Sequence, residues 1–140
     1  MDMQEFRERA NSGVDSRVED LAHAVIGAAI EVHRELGPGL PEISYRRALS
    51  HELSLRGIPH RPEAPVAIIY KGILVGEGYV DILVDEQLVV EIKVVEALHE
   101  VHRSQAIAYL QALKLKLALL INFNVEMLRN GIKRVIRKSD

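Results

Sequence analysis

The chain predicts an α/β domain with a mixed central sheet flanked by helices. Three observations carry that expectation. Helical and strand patterns follow one another in the order α-α-β-β-β-α-β-β, which suits a sheet covered by helices. The strand segments around residues 79–93 and 117–123 are Val, Ile and Leu almost without a break, as in a sheet buried on both sides. A strand, helix, strand passage between Glu91 and Asn122 can form the right-handed crossover that parallel strands require.

Composition bounds the rest. The chain has 140 residues, 48% of them apolar, enough for one domain with its own core. A polar segment, 1–16, precedes a single domain over 17–138. Cysteine is absent, which excludes disulfides and thiolate metal sites. No run approaches the 18 apolar residues of a transmembrane helix, so no membrane is expected as partner. The opening MDMQEFRERA has no apolar stretch after its charges and does not read as a signal peptide. The expected location is cytoplasmic. A net charge of −2 gives no global attraction to nucleic acid. Arg129, Lys133, Arg134, Arg137 and Lys138 form a basic C-terminal stretch that suits either a local patch or a solvated terminus.

The first helix is expected from Arg17 to Leu36, where Leu21, Val25, Ala28, Ala29, Val32 and Leu36 recur at helical spacing. His33, one turn from its end, reads first as a core or cap residue. Gly37-Pro38-Gly39 stops the helix. A second helix starts near Pro41 and ends before Gly57, with Glu42 in its first turn, where the dipole favours a carboxylate. Tyr45 shares the face of Glu42. Residues 60–70 read as a strand, and Pro59, Pro62 and Pro65 suit an edge. After the turn at Lys71-Gly72, a short strand Ile73–Val75 is expected. Gly76 and Gly78 then loosen the chain before the next strand, as bulges or close backbone contacts do. His99 and His102 are three apart, which could suit metal binding, but no third ligand is evident, and a structural or solvent-facing role is the better reading. A third helix runs from Val101 to Leu113, with Gln105 and Tyr109 on one face. Strands follow at Leu117–Phe123 and Ile132–Ile136.

The chemistry concentrates in GYVDILVDEQLVVEIK, residues 78–93. It reads as two strands joined by a polar turn. Glu91 and Lys93 share one face, and Ile92 lies on the other. Val80, Ile82 and Val84 form an apolar row opposite Asp81. A three-residue loop, Asp85 to Gln87, makes facing residues sum to 172 and sets Asp81 opposite Glu91. A two-residue turn would set it beside Val90 instead. Two facing carboxylates repel unless a cation lies between them. The competing reading is a plain solvent-facing row, which the surrounding Val, Ile and Leu disfavour, since a buried carboxylate is costly unless paired. Such acids suit Mg²⁺, a cation of oxygen ligands, and Lys93 on the same side can neutralise charge on a reacting phosphate. Phosphate-binding glycine loops, HExxH pairs and a nucleophile elbow are absent.

Asp81 with Glu91-Ile92-Lys93 resembles the motif of the PD-(D/E)xK nuclease superfamily. Gly39-Leu40-Pro41-Glu42-Ile43-Ser44-Tyr45 matches the pattern naming the GxxExxY protein family, a branch usually placed there. VIGAAIEVHRELGPGL at 25–40 and LLINF at 119–123 resemble that family too. The resemblance spans residues 18–136 and implies a restriction-endonuclease-like fold. It implies that Glu42, Asp81, Glu91 and the Ile92 carbonyl hold Mg²⁺ or Mn²⁺, with Lys93 as catalytic lysine. It further implies supporting or DNA-contacting roles for His33, Tyr45, Gln105 and Tyr109, the last two as the Q-x-x-x-Y element of RecB-type nucleases. The proline of the superfamily name is missing, with Val80 in its place. So is the arginine that family members often carry in this region.

Two functions compete. One is a metal-dependent nuclease hydrolysing phosphodiester bonds, with DNA as its expected substrate. A homodimer or a partner protein would extend its short reach. The other is a non-catalytic module on a nuclease-like fold that binds protein or nucleic acid, because fold alone does not fix function.

Overall fold

The computed structural model describes residues 12–138. The greater part of the expected polar N-terminal segment, residues 1–11, lies outside the described residues. Helix α1 spans Ser16–Leu36. Asp15 starts it, accepting the Arg17 N–H on its side chain at 2.7 Å. Gly37 ends it at φ 67°, a left-handed value that favours glycine, and returns its N–H to the His33 carbonyl at 2.8 Å. Helix α2 follows Pro41 and spans Glu42–Leu55.

The five strands are β1 His60–Tyr70, β2 Ile73–Val84, β3 Leu88–Lys93, β4 Leu117–Asn122 and β5 Ile132–Ile136. Helix α3, Glu100–Leu113, joins β3 to β4. The sheet order is β1-β2-β3-β4-β5. Neighbours are antiparallel except β3 and β4, which are parallel, as the crossover through α3 requires. The proline-bearing β1 is an edge strand, as expected.

Two apolar cores cover the two faces of the sheet. On one, α1 and α2 bury Val25, Ala29, Leu49 and Leu53 against Ile82, Val90, Ile92, Leu119 and Ile121. On the other, Ala106 and Leu110 of α3 meet Val66, Val89, Ala118 and Leu120. Strand side chains alternate faces, so β4 feeds both cores in turn. This double cover is why the strand sequences are almost unbroken in apolar character. Each fully buried Leu, Ile or Val contributes roughly 1.5–3 kcal/mol relative to exposure. Among the described residues, no helix is long and apolar enough to cross a membrane.

The β2–β3 register has the expected sum: Ile82 faces Val90, Leu83 faces Val89 and Val84 faces Leu88. Asp85 and Glu86 turn the loop at φ 48° and 58°. Gln87 returns its N–H to Val84 O at 2.9 Å, and Asp85 gives its own to Pro59 O at 2.8 Å.

Two strand expectations are corrected. Ile73–Val75 is not a separate strand; β2 runs unbroken through Gly76 and Gly78 to Val84. Its pairing with β1 carries it through, with a register shift between Ile68 and Ile69 that leaves Val75 as the extra residue. Nor do Val80, Ile82 and Val84 form one row. Ile82 and Val84 lie in the α1/α2 core, whereas Val80 lies in the α3 core. The break coincides with the end of pairing between β2 and β3, which stops at Ile82.

Candidate active site

That parting of β2 from β3 opens the candidate site. Beyond Val90, β3 continues beside β4 alone, with Glu91 facing Leu120, Ile92 facing Ile121 and Lys93 facing Asn122. The Ile92 N–H therefore lacks a β2 carbonyl. Asp81 meets it with a side-chain oxygen, Oδ2, at 2.7 Å. A carboxylate thus takes the place of a ladder hydrogen bond at the fork between two strands.

Glu91 is buried, at 5% exposure. Its Oε2 lies 3.8 Å from the Lys93 ammonium, and its Oε1 is buried with no hydrogen-bond partner. Burial pushes its pKa up to about 8, the nearby Asp81 charge adds to the rise, and Lys93 opposes it. Glu42, at the first position of α2, is exposed in area, but partial desolvation of its carboxyl and then Asp81 raise its pKa, opposed by Lys93 and Arg46. Glu42, Asp81, Glu91 and Lys93 are thus brought within electrostatic reach of one another. Buried Glu91 and half-buried Asp81 form the centre, with Glu42 at its edge. Among the described residues, no three His, Cys, Asp or Glu side chains are arranged as a ready metal cage.

Arg46 joins this group and was missed from the sequence. Its Nη1 lies 3.9 Å from Asp81 Oδ1 and its Nη2 2.6 Å from Glu63 Oε1, with its side chain 20% exposed. It supplies a guanidinium beside Asp81 from a helix, where the sequence lacks one on the strand. The available signal was its spacing of four from Glu42.

The remaining candidates separate by role. Tyr45 is fully buried. Its hydroxyl donates to Gly37 O at 2.5 Å and accepts from Leu40 N at 3.1 Å, while its ring stacks on Phe123 at 4.5 Å. It holds the turn that delivers Glu42, and its burial leaves no surface for DNA. His33 is also buried, with Nε2 2.7 Å from Val125 O and its ring 6.2 Å from Phe123. It fastens the segment after β4 to α1. Gln105 is exposed on α3, and Tyr109 is half-buried. The Tyr109 ring lies against the Gly78 backbone, where an added Cβ would come within 2.6 Å of its hydroxyl. Glycine at 78 permits that approach. His99 and His102 cap α3 reciprocally, with the His99 N–H donating to His102 Nδ1 at 2.9 Å. They are structural. Of the basic C-terminal stretch, Arg134 pairs with buried Glu19 at 2.7 Å, and Arg137 donates to Leu115 O at 2.8 Å. Both hold the fold.

The donor set fits a hard divalent cation. Two carboxylates face one space, and the buried Glu91 Oε1 has no other partner. Mg²⁺ is commonly held by one or two carboxylates and keeps several waters.

The mixed five-stranded sheet covered by helices on both faces is an α/β fold of the restriction-endonuclease-like kind, with two acids and a lysine at a strand fork. The family model of the PD-(D/E)XK nuclease superfamily matches residues 19–135, and the chain belongs to that superfamily. Its members generally use divalent metals. No curated protein matches the chain significantly. Among solved structures, the crystal structure of SSO0001 is similar at 17% identity and a TM-score of 0.49. The match covers 80% of this chain and 62% of that one, so this chain spans less than two thirds of its length.

Proposed function

We propose that this protein is a divalent-metal-dependent nuclease of the GxxExxY kind, acting in the cytoplasm, with DNA as its substrate. The observation that carries the reading is the buried, unpartnered Glu91 oxygen beside Asp81, with the Lys93 ammonium 3.8 Å from the other oxygen. Asp81 and Glu91 would hold Mg²⁺ or Mn²⁺, with Glu42 and the Ile92 carbonyl completing the shell. The ion, when bound, polarises the phosphodiester and lowers the pKa of water. Lys93 stabilises negative charge that builds on the phosphate oxygens as the bond breaks. Arg46, held by Glu63, keeps a second positive group beside Asp81. The Ile92 N–H fixes the Asp81 carboxylate, so its orientation is set before substrate arrives.

The test is a panel of single- and double-stranded DNA and RNA incubated with Mg²⁺ or Mn²⁺, using wild type and Asp81→Asn. Cleavage is expected only with metal and only from wild type. No cleavage in any condition, together with no metal binding by calorimetry, would establish the non-catalytic binding module instead.

A further inference from the structure

A groove of about 450 Å³ runs between α2 and β1, next to the acids. Arg46, Arg47, His51 and Ser54 line it from α2, and Glu63 from β1. Ser50 also lines it, but its hydroxyl meets His60 Nε2 at 2.8 Å, and His60 Nδ1 meets Ile58 O. Arg46 ends the groove beside the acids, since the same guanidinium lies 3.9 Å from Asp81. Arg47 and His51 are exposed, and Arg47 makes no ion pair among the described residues.

Tyr79 lies beyond the acids on β2, two residues before Asp81 and opposite Pro65. Val80 points into the α3 core, so Tyr79 faces the α2 side, where Arg46 and the groove lie. It is 63% exposed. Neither apolar core includes it.

Resting on the nuclease reading, we propose that the substrate is a single strand of nucleic acid. Its backbone lies in the α2–β1 groove, with one unstacked base on Tyr79. Single strands are held by cations that meet phosphates and by aromatic faces that meet bases, and this surface offers the exposed Arg47 in the groove and the exposed Tyr79 ring. A duplex fits it poorly. Its bases are already stacked, and duplex binding draws on many phosphate contacts, whereas the chain carries a net charge of −2 and this groove only a few cationic groups.

The experiment is fluorescence anisotropy on the non-cleaving Asp81→Asn protein, with labelled 12-nucleotide DNA, the same RNA, and a DNA duplex. Single strands should bind at least about tenfold tighter than duplex. Tyr79→Ala should weaken single-strand binding about 5- to 100-fold, and Tyr79→Phe should restore it, because stacking needs the ring and not the hydroxyl. Arg47→Ala should reduce the salt slope by about 0.7, the value of one phosphate contact on a single strand. Equal affinity for duplex, or an unchanged Tyr79→Ala, overturns the proposal. Both side chains are exposed, so their removal leaves the cores untouched. Binding is read without cleavage. Lost strand preference with intact wild-type cleavage therefore sinks only this inference, and strand preference without wild-type cleavage sinks only the nuclease reading.

Discussion

Strands β3 and β4 lie side by side in parallel register, both buried, and each places a polar residue in the sheet. Asn122 on β4 is 2% exposed and well satisfied. Its Oδ1 accepts from Val95 N and Asn124 N, each at 3.1 Å, and its Nδ2 donates to Val95 O at 2.9 Å. Glu91 on β3 is equally hidden, yet one of its oxygens has no partner, and Asp81 pushes against its ionisation. A buried polar group that is fully bonded holds structure together. One left short is costly, and on the proposed reading a bound cation completes it. The two strands thus set a satisfied polar group beside an unsatisfied one within one sheet.

The largest expected effect tests whether Glu91 is such a strained group. Its pKa rises from 4.5 to about 8 on folding. The folded state therefore binds the proton more tightly, so this stability is full below about pH 4.5 and is lost as pH rises through about 8. The loss at the limit is on the order of 3–5 kcal/mol. Urea unfolding at pH 5, 7 and 9 in EDTA should show that slope in wild type and a flatter one in Glu91→Gln. Parallel slopes would return Glu91 to the company of ordinary carboxylates. Adding Mn²⁺ at pH 8 should restore wild-type stability and leave the variant unmoved.

Next in size is Lys93→Ala. Loss of one charge-stabilising group at a reacting phosphate lowers turnover by about 10²- to 10³-fold. Metal affinity should stay the same or rise, because a cation 3.8 Å from Glu91 is gone. The same removal should move the Glu91 pH slope upward, since the Lys93 charge is the larger of the influences that lower that pKa. Calorimetric metal titration beside cleavage rates at saturating Mn²⁺ checks both. Wild-type turnover from the variant would refute a catalytic lysine.

The scaffold side of the comparison predicts something different for Asn122→Leu. Val95 N–H, Val95 C=O and Asn124 N–H all lose a partner, at a cost of about 2–3 kcal/mol. That cost should be the same at pH 5 and pH 9, because no titrating group is involved. A pH-dependent loss in urea unfolding would mean that Asn122 acts through the acids.

Much of this contrast could be read in the sequence, and the part that could not has a physical reason. The Asp85–Gln87 loop was legible because three polar residues interrupt two apolar runs, and the register followed by arithmetic. Glu91 and Lys93 were placed on one face because period two holds inside a paired strand. Val80 was misplaced because that period fails where β2 leaves its partner, and a fork has no local signature. The break expected at Gly76 and Gly78 followed from the weakness of glycine in strands, but pairing with β1 overrides it. Gly78 was legible as a close approach, yet Tyr109 as the approaching ring was not. Arg46 looked like any solvated helix arginine until tertiary packing set it beside Asp81.

The smallest expected effect concerns how the scaffold delivers Glu42. Tyr45 reaches back to the turn after α1, donating to Gly37 O and accepting from Leu40 N. Tyr45→Phe keeps the buried ring and its 4.5 Å stack on Phe123, so the core volume is unchanged. Only the hydroxyl's two bonds are lost, at a cost of about 1 kcal/mol. The loss falls on the turn immediately before Glu42, and not on the β2–β3 fork. Metal binding through Asp81 and Glu91 should therefore hold, while the Leu40 amide exchanges with solvent about fivefold faster, the local equivalent of that energy. Hydrogen exchange at Leu40, read beside Mn²⁺ affinity, separates the two regions. Unchanged exchange would show that Gly37-Pro38-Gly39 sets the turn without help from Tyr45. Lost Mn²⁺ affinity would move Glu42 from the edge of the site to its centre.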